Sequence, residues 1–381
     1  MTFFDKEYII NVVNDRRLEM NDSKSRAAEL LFREEESILS PAAKDLYNGK
    51  TILVTGGGGS VGSELVRHLA KLSTKKIIIF DIYENNAYEL LMELRHKYGA
   101  SLDLTVEIGS VRDRDRLEDL FSVYHPEIVF HAAAHKHVPL MEHNGREAIK
   151  NNVLGTYNVA DMAEKYSAKK FILISTDKAV NPTGIMGATK RIAEHIISCR
   201  SDSNVGFCSV RFGNVLGSAG SVVPLFMRQI SDGGPVTITD KRIVRYFMSL
   251  GEAAELLLET GAMAKQGEIF ILDMGAPVRI VDLAEEMIKK YAPKGVEIDI
   301  TEIGLRPGEK LYEELLVNPE THQKTHLSKI FVERENSKTR AEMERIIDIF
   351  RDFLAIKPEK SDSIALKNLI GSILPEYISA P

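Results

Sequence analysis

The chain has 381 residues, 44% hydrophobic and 27% charged, as expected of a soluble globular protein with room for one large or two moderate domains. A net charge of −6 argues against a general affinity for nucleic acid, and the longest apolar runs are too short for a membrane span. Two cysteines, Cys199 and Cys208, give no disulfide framework, and the N-terminus lacks the pattern of a signal peptide, so a cytoplasmic location is expected.

Residues 1–49 are charged and mostly helical in pattern, an N-terminal helical extension. Short apolar runs then alternate with amphipathic stretches over 50–214. Strands are predicted at 51–56, 75–81, 102–109, 127–134, 169–176 and 205–214, with helical segments such as "SELVRHLAKL" and "NAYELLMELRHKYG" between them. This alternation predicts an α/β fold, a Rossmann-type doubly wound parallel sheet. Over 215–330 the alternation loosens, with turns at "SDGGP" and "LRPGEK" and a helix at "VDLAEEMIKKY", predicting a smaller C-terminal α/β lobe. Residues 331–381 read as a charged helical tail.

The stretch "TILVTGGGGSVGSELVRHL" is a strand, a glycine turn and a helix start. Gly56, Gly59 and Gly62 are spaced G-x-x-G-x-x-G, and Gly57 adds an overlapping G-x-G-x-x-G. Glycines let the backbone approach a pyrophosphate, and the N–H groups at the helix start, around Ser60 and Val61, are free to bind it. Asp81 ends the next strand, where an acid holds the adenosine ribose hydroxyls. No Arg or Lys stands near Asp81 to meet a 2′-phosphate, so NAD is expected rather than NADP. Ser110 and Val111 are expected beside the adenine, and Ala132, Ala133 and Ala134 supply small residues beside the cofactor.

"STDK", residues 175–178, places a hydroxyl, a carboxylate and an amine at the carboxyl end of a predicted strand, where open α/β sheets bind ligands. Lys190 follows on a helix, and Met186 lies four residues before it on the same face. A thioether cannot relay a proton. His131, His135, His137 and His143 invite a metal hypothesis, but they come with no cysteine and no H-E-x-x-H motif, so no metal is expected.

Taken together, "TGGGGSVG", "FHAAAHKHVPLME", "NNVLGTYNV" and "STDKAVNPTGIMGATKR" resemble the extended short-chain dehydrogenase/reductase superfamily. Within it, the chain is most similar to the retaining UDP-N-acetylglucosamine 4,6-dehydratases of bacterial polysaccharide and glycan biosynthesis. The resemblance runs from about residue 28 through "RFGNVLGSAGSVVPLF" and "GLRPGEKLYEELL" to "ILPEY" near the end. Many relatives carry a membrane domain before this point, so the short polar segment here implies a soluble short form. Most of the superfamily has tyrosine where Met186 stands; the retaining dehydratases share the methionine.

The resemblance implies C4 oxidation by NAD, elimination of water across C5 and C6, and hydride return to C6. Asp177 would be the general acid towards O6, Lys178 the base at C5, Thr176 the partner of O4, and Lys190 the holder of the nicotinamide ribose. Lys178 would need its pKa lowered by desolvation or a neighbouring cation, for which Lys190 is the candidate, and Asp177 would need its own raised. Arg306, Arg245 and Asn214 would meet the diphosphate of a UDP-sugar, Glu309 the nucleoside ribose, and Lys136 and His137 the sugar. The family also implies a homo-oligomer, a dimer or larger. A UDP-hexosamine 4-epimerase or a 5,6-dehydratase uses similar parts, although an epimerase normally relies on the missing tyrosine. A non-catalytic NAD-binding regulatory or scaffold protein would have no need of "STDK" or "RPGE".

Overall fold

The computed structural model describes residues 38–315, 323–333, 338–357 and 362–378. Of the expected N-terminal extension, residues 1–37 lie outside the described residues, and Pro41–Tyr47 forms a helix.

The six predicted strands are present: β1 (Thr51–Thr55), β2 (Lys76–Asp81), β3 (Leu104–Ile108), β4 (Ile128–His131), β5 (Lys170–Ile174) and β6 (Gly206–Arg211). Three later strands join them: β7 (Glu268–Leu272), β8 (Gln323–Lys324) and β9 (Ile330–Glu333). The sheet order is β8-β9-β7-β6-β5-β4-β1-β2-β3. β1 to β7 run parallel, and β8 and β9 close the edge antiparallel.

The strands read as near-continuous apolar runs because both faces of the sheet are covered. Ile52, Val54, Ile77 and Ile79 point to one face, which packs on the helices Ser60–Leu69, Glu84–Tyr98 and Leu250–Met263. Leu53, Ile78, Phe80 and Val129 point to the other, against Arg114–Tyr124, Gly155–Lys165 and Ile185–Ser198. Strand order reverses between β1 and β4, which opens a crevice at their carboxyl ends.

After β6 the chain builds a lobe from the helices Val222–Ser231 and Ile280–Tyr291 and short strand pairs such as Val236–Ile238 with Ile300–Glu302. Phe226, Ile230, Ala284 and Met287 form its separate core. The lobe is discontinuous, because the chain returns to the main sheet for the helix Leu250–Met263 and β7. In the tail, the helix Arg340–Ala355 starts with a capping box between Thr339 and Glu342 and buries Met343, Ile347 and Phe350 in the main core. The helix Asp362–Ile373 adds Leu366 and Ile370 to that core. No described helix is long and apolar enough to cross a membrane.

At the end of β4, His131 is buried, with Nδ1 2.7 Å from Thr55 Oγ1 and Nε2 3.0 Å from Thr156 Oγ1. It joins β1, β4 and the helix Gly155–Lys165. Burial, helped by the positive charge of Lys190, brings its pKa down to about 3.

Two outcomes are expected. The unfolded chain binds a proton at His131 below about pH 6.5 that the native state refuses until about pH 3. Stability should therefore fall by ~1.4 kcal/mol per pH unit across that window from this residue. Denaturant titrations of His131→Gln should show a pH slope shallower by one proton. Phe350→Ala should cost about 3–5 kcal/mol, since the ring is fully buried in the main core. A loss below about 1 kcal/mol would show that the tail is not part of the cooperative unit.

Candidate active site

At the crevice, Gly56 has φ +67°, and a Cβ there would lie 2.6 Å from the backbone nitrogen of Ala133. A Cβ on Gly62 would lie 2.2 Å from Gly56 O, so the turn requires glycine at both positions. The helix Ser60–Leu69 starts at Gly59 with no side chain capping its first N–H groups. Asp81, at the end of β2, accepts from Gly58 N at 2.8 Å and from Tyr83 N at 2.9 Å. Gly56 and Gly59 thus lie on the turn that leaves β1, Ser60, Val61 and Gly62 in the first turn of the helix after it, Asp81 at the end of β2 and Ala132–Ala134 just beyond β4. Ser110 is half-buried and accepts from Arg112. Val111 departs from expectation: it is 2% exposed and packs over Gly155 in the core, so its side chain is not presented to a ligand.

β5 delivers the catalytic candidates. Ser175 and Thr176 continue from its end, and Asp177–Ala179 form a single tight turn. Asp177 is fully buried, and its Oδ1 accepts from Thr176 Oγ1 at 2.8 Å, Lys178 N at 2.9 Å and Lys178 Nζ at 2.9 Å. Its Oδ2 meets no hydrogen-bond partner among the described residues. Lys178 Nζ also lies 3.4 Å from Asn214 Oδ1 and 3.8 Å from Glu313 Oε1.

A C5 base at Lys178 calls for a lowered pKa, and this arrangement does the reverse. Burial works against its charge, but Asp177 and Glu313 outweigh burial and hold its pKa above the ordinary lysine value. The opposing cation is Arg245 rather than Lys190. Lys190 is itself the depressed amine: burial brings it down to about 8, against the pull of Glu194, and its Nζ donates to Ile174 O at 2.7 Å. Met186 is 3% exposed among core side chains and offers the site no polar atom.

A buried ionic cluster joins these parts. Glu194 accepts from Arg211 Nε and Nη2, each at 2.8 Å, from Ser175 Oγ at 2.6 Å and from Arg191 Nη1 at 3.2 Å. Burial favours the neutral acid, yet Arg211 and then Arg191 outweigh it and hold Glu194 at about 2. Arg211 also donates to Glu333 on β9.

The lobe contributes the turn 304–314. Arg306 is exposed, and Glu309 closes the turn by accepting from Arg306 N at 3.2 Å and Thr239 Oγ1 at 3.2 Å. Arg245 departs from its expected role as a free phosphate clamp. It is 6% exposed and donates to Val244 O, Leu311 O and Lys310 O, so it pins the loop. Thr183 and Lys310 stitch the same loop to the segment after Lys178, through Gly308 O at 3.2 Å and Val180 O at 3.0 Å. Lys136 and His137 are exposed, and His137 packs over Gly220, where a Cβ would lie 2.6 Å from its ring.

Two residues escaped the sequence argument. Asn152 accepts from His135 N at 2.8 Å and donates to Thr189 Oγ1 at 3.0 Å, tying the loop after β4 to the helix of Met186 and Lys190. Its only signal was its place in "NNVLG". Glu313 lies in "LYEELL", where an acid pair reads as a solvated face, yet it is 7% exposed beside Lys178.

Comparison with known proteins follows the same lines. The model of a family described as polysaccharide biosynthesis protein matches residues 52–335. The capsular polysaccharide biosynthesis protein CapD of Staphylococcus aureus is 47% identical over 341 residues, 88% of this chain and 57% of that protein. A protein of Campylobacter jejuni named UDP-N-acetylglucosamine 4,6-dehydratase (inverting) is 35% identical over 283 residues, 73% of this chain and 80% of that protein. The X-ray structure of Pen from Bacillus thuringiensis matches with a TM-score of 0.70 at 36% identity, covering 77% of this chain and 89% of that one. The chain spans little more than half the length of the first curated relatives it matches. The match across 52–335 encloses both the glycine turn and the Asp177–Lys178 segment, and on it the chain belongs to this polysaccharide biosynthesis family, built on the extended short-chain dehydrogenase/reductase fold.

Proposed function

We propose that the chain is a nucleotide-sugar 4,6-dehydratase that uses NAD and acts on UDP-N-acetylglucosamine. The observation that carries this reading is the Asp177–Lys178 pair: a buried acid and an amine at 2.9 Å, at the carboxyl end of β5, with one acid oxygen unpartnered among the described residues. The named activity of the Campylobacter jejuni relative supports the substrate. That relative is named as inverting, whereas Met186 aligns this chain by resemblance with retention at C5.

The residues present fit NAD. The Gly56 turn leaves room only for backbone, the uncapped start of the helix Ser60–Leu69 would offer N–H groups to a pyrophosphate, and Asp81, at the end of β2, would meet the ribose hydroxyls. Lys190 would hold the nicotinamide ribose, and Ser110 would border the adenine. When bound, NAD would take a hydride from C4 of the sugar and return it at C6.

The chain's own groups then move protons. Thr176 Oγ1 receives the O4 proton and passes its own to Asp177, with which it already shares a 2.8 Å hydrogen bond. Asp177 delivers that proton to O6, so the proton lost at O4 is balanced by the one that departs in the water. Lys178, as free amine, takes the C5 proton and gives one back to C5 after C6 is reduced. In the ligand-free protein the pair is ammonium and carboxylate; elimination needs amine and acid. The proton relayed from O4 makes Asp177 the acid, and with that carboxylate neutralised Lys178 becomes the amine by releasing its own proton to solvent, a loss that desolvation favours. Arg306 and Asn214 would meet the diphosphate, Glu309 the nucleoside ribose, and Lys136 and His137 the sugar.

The test is incubation with UDP-N-acetylglucosamine in heavy water without added cofactor, followed by mass spectrometry and NMR. The expected product has lost one water, carries one deuterium at C5 and retains the C5 configuration. Asp177→Asn and Lys178→Ala should each slow turnover by ~10²–10⁴-fold, and unchanged turnover in both would remove this mechanism. Arg306→Ala should raise KM for the UDP-sugar at least about tenfold with kcat little changed, the signature of a ground-state phosphate contact.

A further inference from the structure

Glu313 enters the site from the loop that carries Arg306 and Glu309. Its side chain is 3% exposed, with Oε1 3.8 Å from Lys178 Nζ and 3.7 Å from Arg245 Nη2. Its Oε2 is buried and meets no hydrogen-bond partner among the described residues. Across the same ammonium stands Asp177 Oδ1 at 2.9 Å. Lys178 is therefore held between two buried carboxylates, one on its own turn and one brought from the lobe. The charged groups facing it are Asp177, Glu313 and Arg245, and Lys310 adds a positive charge beside Glu313. Lys178 and Glu313 also line the small cleft between Gly184 and Gly308, where the lobe loop meets the segment after β5.

Each carboxylate stabilises the ammonium form, so the lysine yields its proton only when one of them is displaced or neutralised. Asp177 already has a part in the elimination as acid. Glu313 has none there, yet it is buried beside the lysine, and Thr183, Lys310 and Arg245 fix its loop to the catalytic segment.

We propose that Glu313 is a positioning residue that shares the Lys178 ammonium with Asp177, and so ties the protonation of the base to the loop that holds the nucleotide. This rests on the reading of Lys178 as the C5 base. Burial pushes the Glu313 carboxyl up against the pull of Lys178, with Asp177 adding to the rise and Arg245 opposing it. The carboxyl is thus easily neutralised, and neutralising it releases the lysine.

The first test needs no substrate. The rate at which fluorodinitrobenzene modifies Lys178, mapped by peptide mass spectrometry, is followed against pH in the wild type, Glu313→Gln and Glu313→Asp. The midpoint should fall by about one unit in Glu313→Gln, with Glu313→Asp between it and the wild type. An unmoved midpoint in Glu313→Gln overturns the proposal. If circular dichroism shows that variant unfolded, Glu313→Asp decides, and no downward shift there overturns it. The second test is the pH profile of kcat with UDP-N-acetylglucosamine. The acidic limb of Glu313→Gln should move down by the same amount while KM stays within about threefold. A raised KM with the limb in place would assign Glu313 a purely structural role and overturn the proposal. A shifted midpoint in a protein whose wild type leaves the sugar unchanged would uphold the shared ammonium and discard the dehydratase reading.

Discussion

The buried pairing of Arg211 with Glu194 is the constraint on which the site's geometry depends. Both side chains are fully buried, and the two parallel 2.8 Å bonds between them fix the helix Ile185–Ser198 against β6. Ser175, one step before Thr176, donates to the same carboxylate, so the strand end bearing Thr176, Asp177 and Lys178 is set against the helix bearing Lys190. Removing one partner of such a pair costs about 3–5 kcal/mol, because the other is left as an uncompensated buried charge. Catalytic side chains on a turn gain precision when the turn's flanks are held this way.

A second cluster, the half-buried Lys178 with buried Asp177, Glu313 and Arg245, has a different character. Glu313's contacts in it, at 3.7–3.8 Å, are longer than those of the Arg211 pair, and two of the cluster's carboxylate oxygens are unpartnered among the described residues. Unsatisfied buried oxygens cost stability, and such groups gather where a site keeps capacity for a proton or a ligand. One cluster fixes geometry; the other keeps proton positions open. They meet at the end of β5, where Ser175 belongs to the rigid part and Asp177 to the adjustable one, with only Thr176 between them.

Met186 shows how chemistry can leave one position without the fold changing. It is 3% exposed and packs with Ile185, Ala188 and Ile192 in the main core. A methionine fills that space as an apolar side chain and carries no polar atom that burial would leave unsatisfied. Lys190, one helical turn on, keeps its place and its bond to Ile174 O. In the proposed mechanism the proton work passes to the turn after β5, where three polar residues stand in succession.

Much of the fold was legible in the sequence because its determinants are local. The strands showed as β-branched apolar runs, and the glycine turn showed because Gly56 must take positive φ and Gly62 has no room for a Cβ. Asp81 and the Thr176–Lys178 turn stood out by their place at strand ends. Four features were decided by tertiary structure alone. Val111 turned into the core because Gly155 lies beneath it. Arg245 was drawn to the carbonyls of Lys310 and Leu311. The lobe proved discontinuous because β7 returns to pair with β6. Lys178 was held charged by Asp177 beside it and also by Glu313, a residue 135 positions away in the chain. Each depends on which distant segments meet, and the charge state of an amine in such a site is set by those neighbours as well as by its own flanking residues.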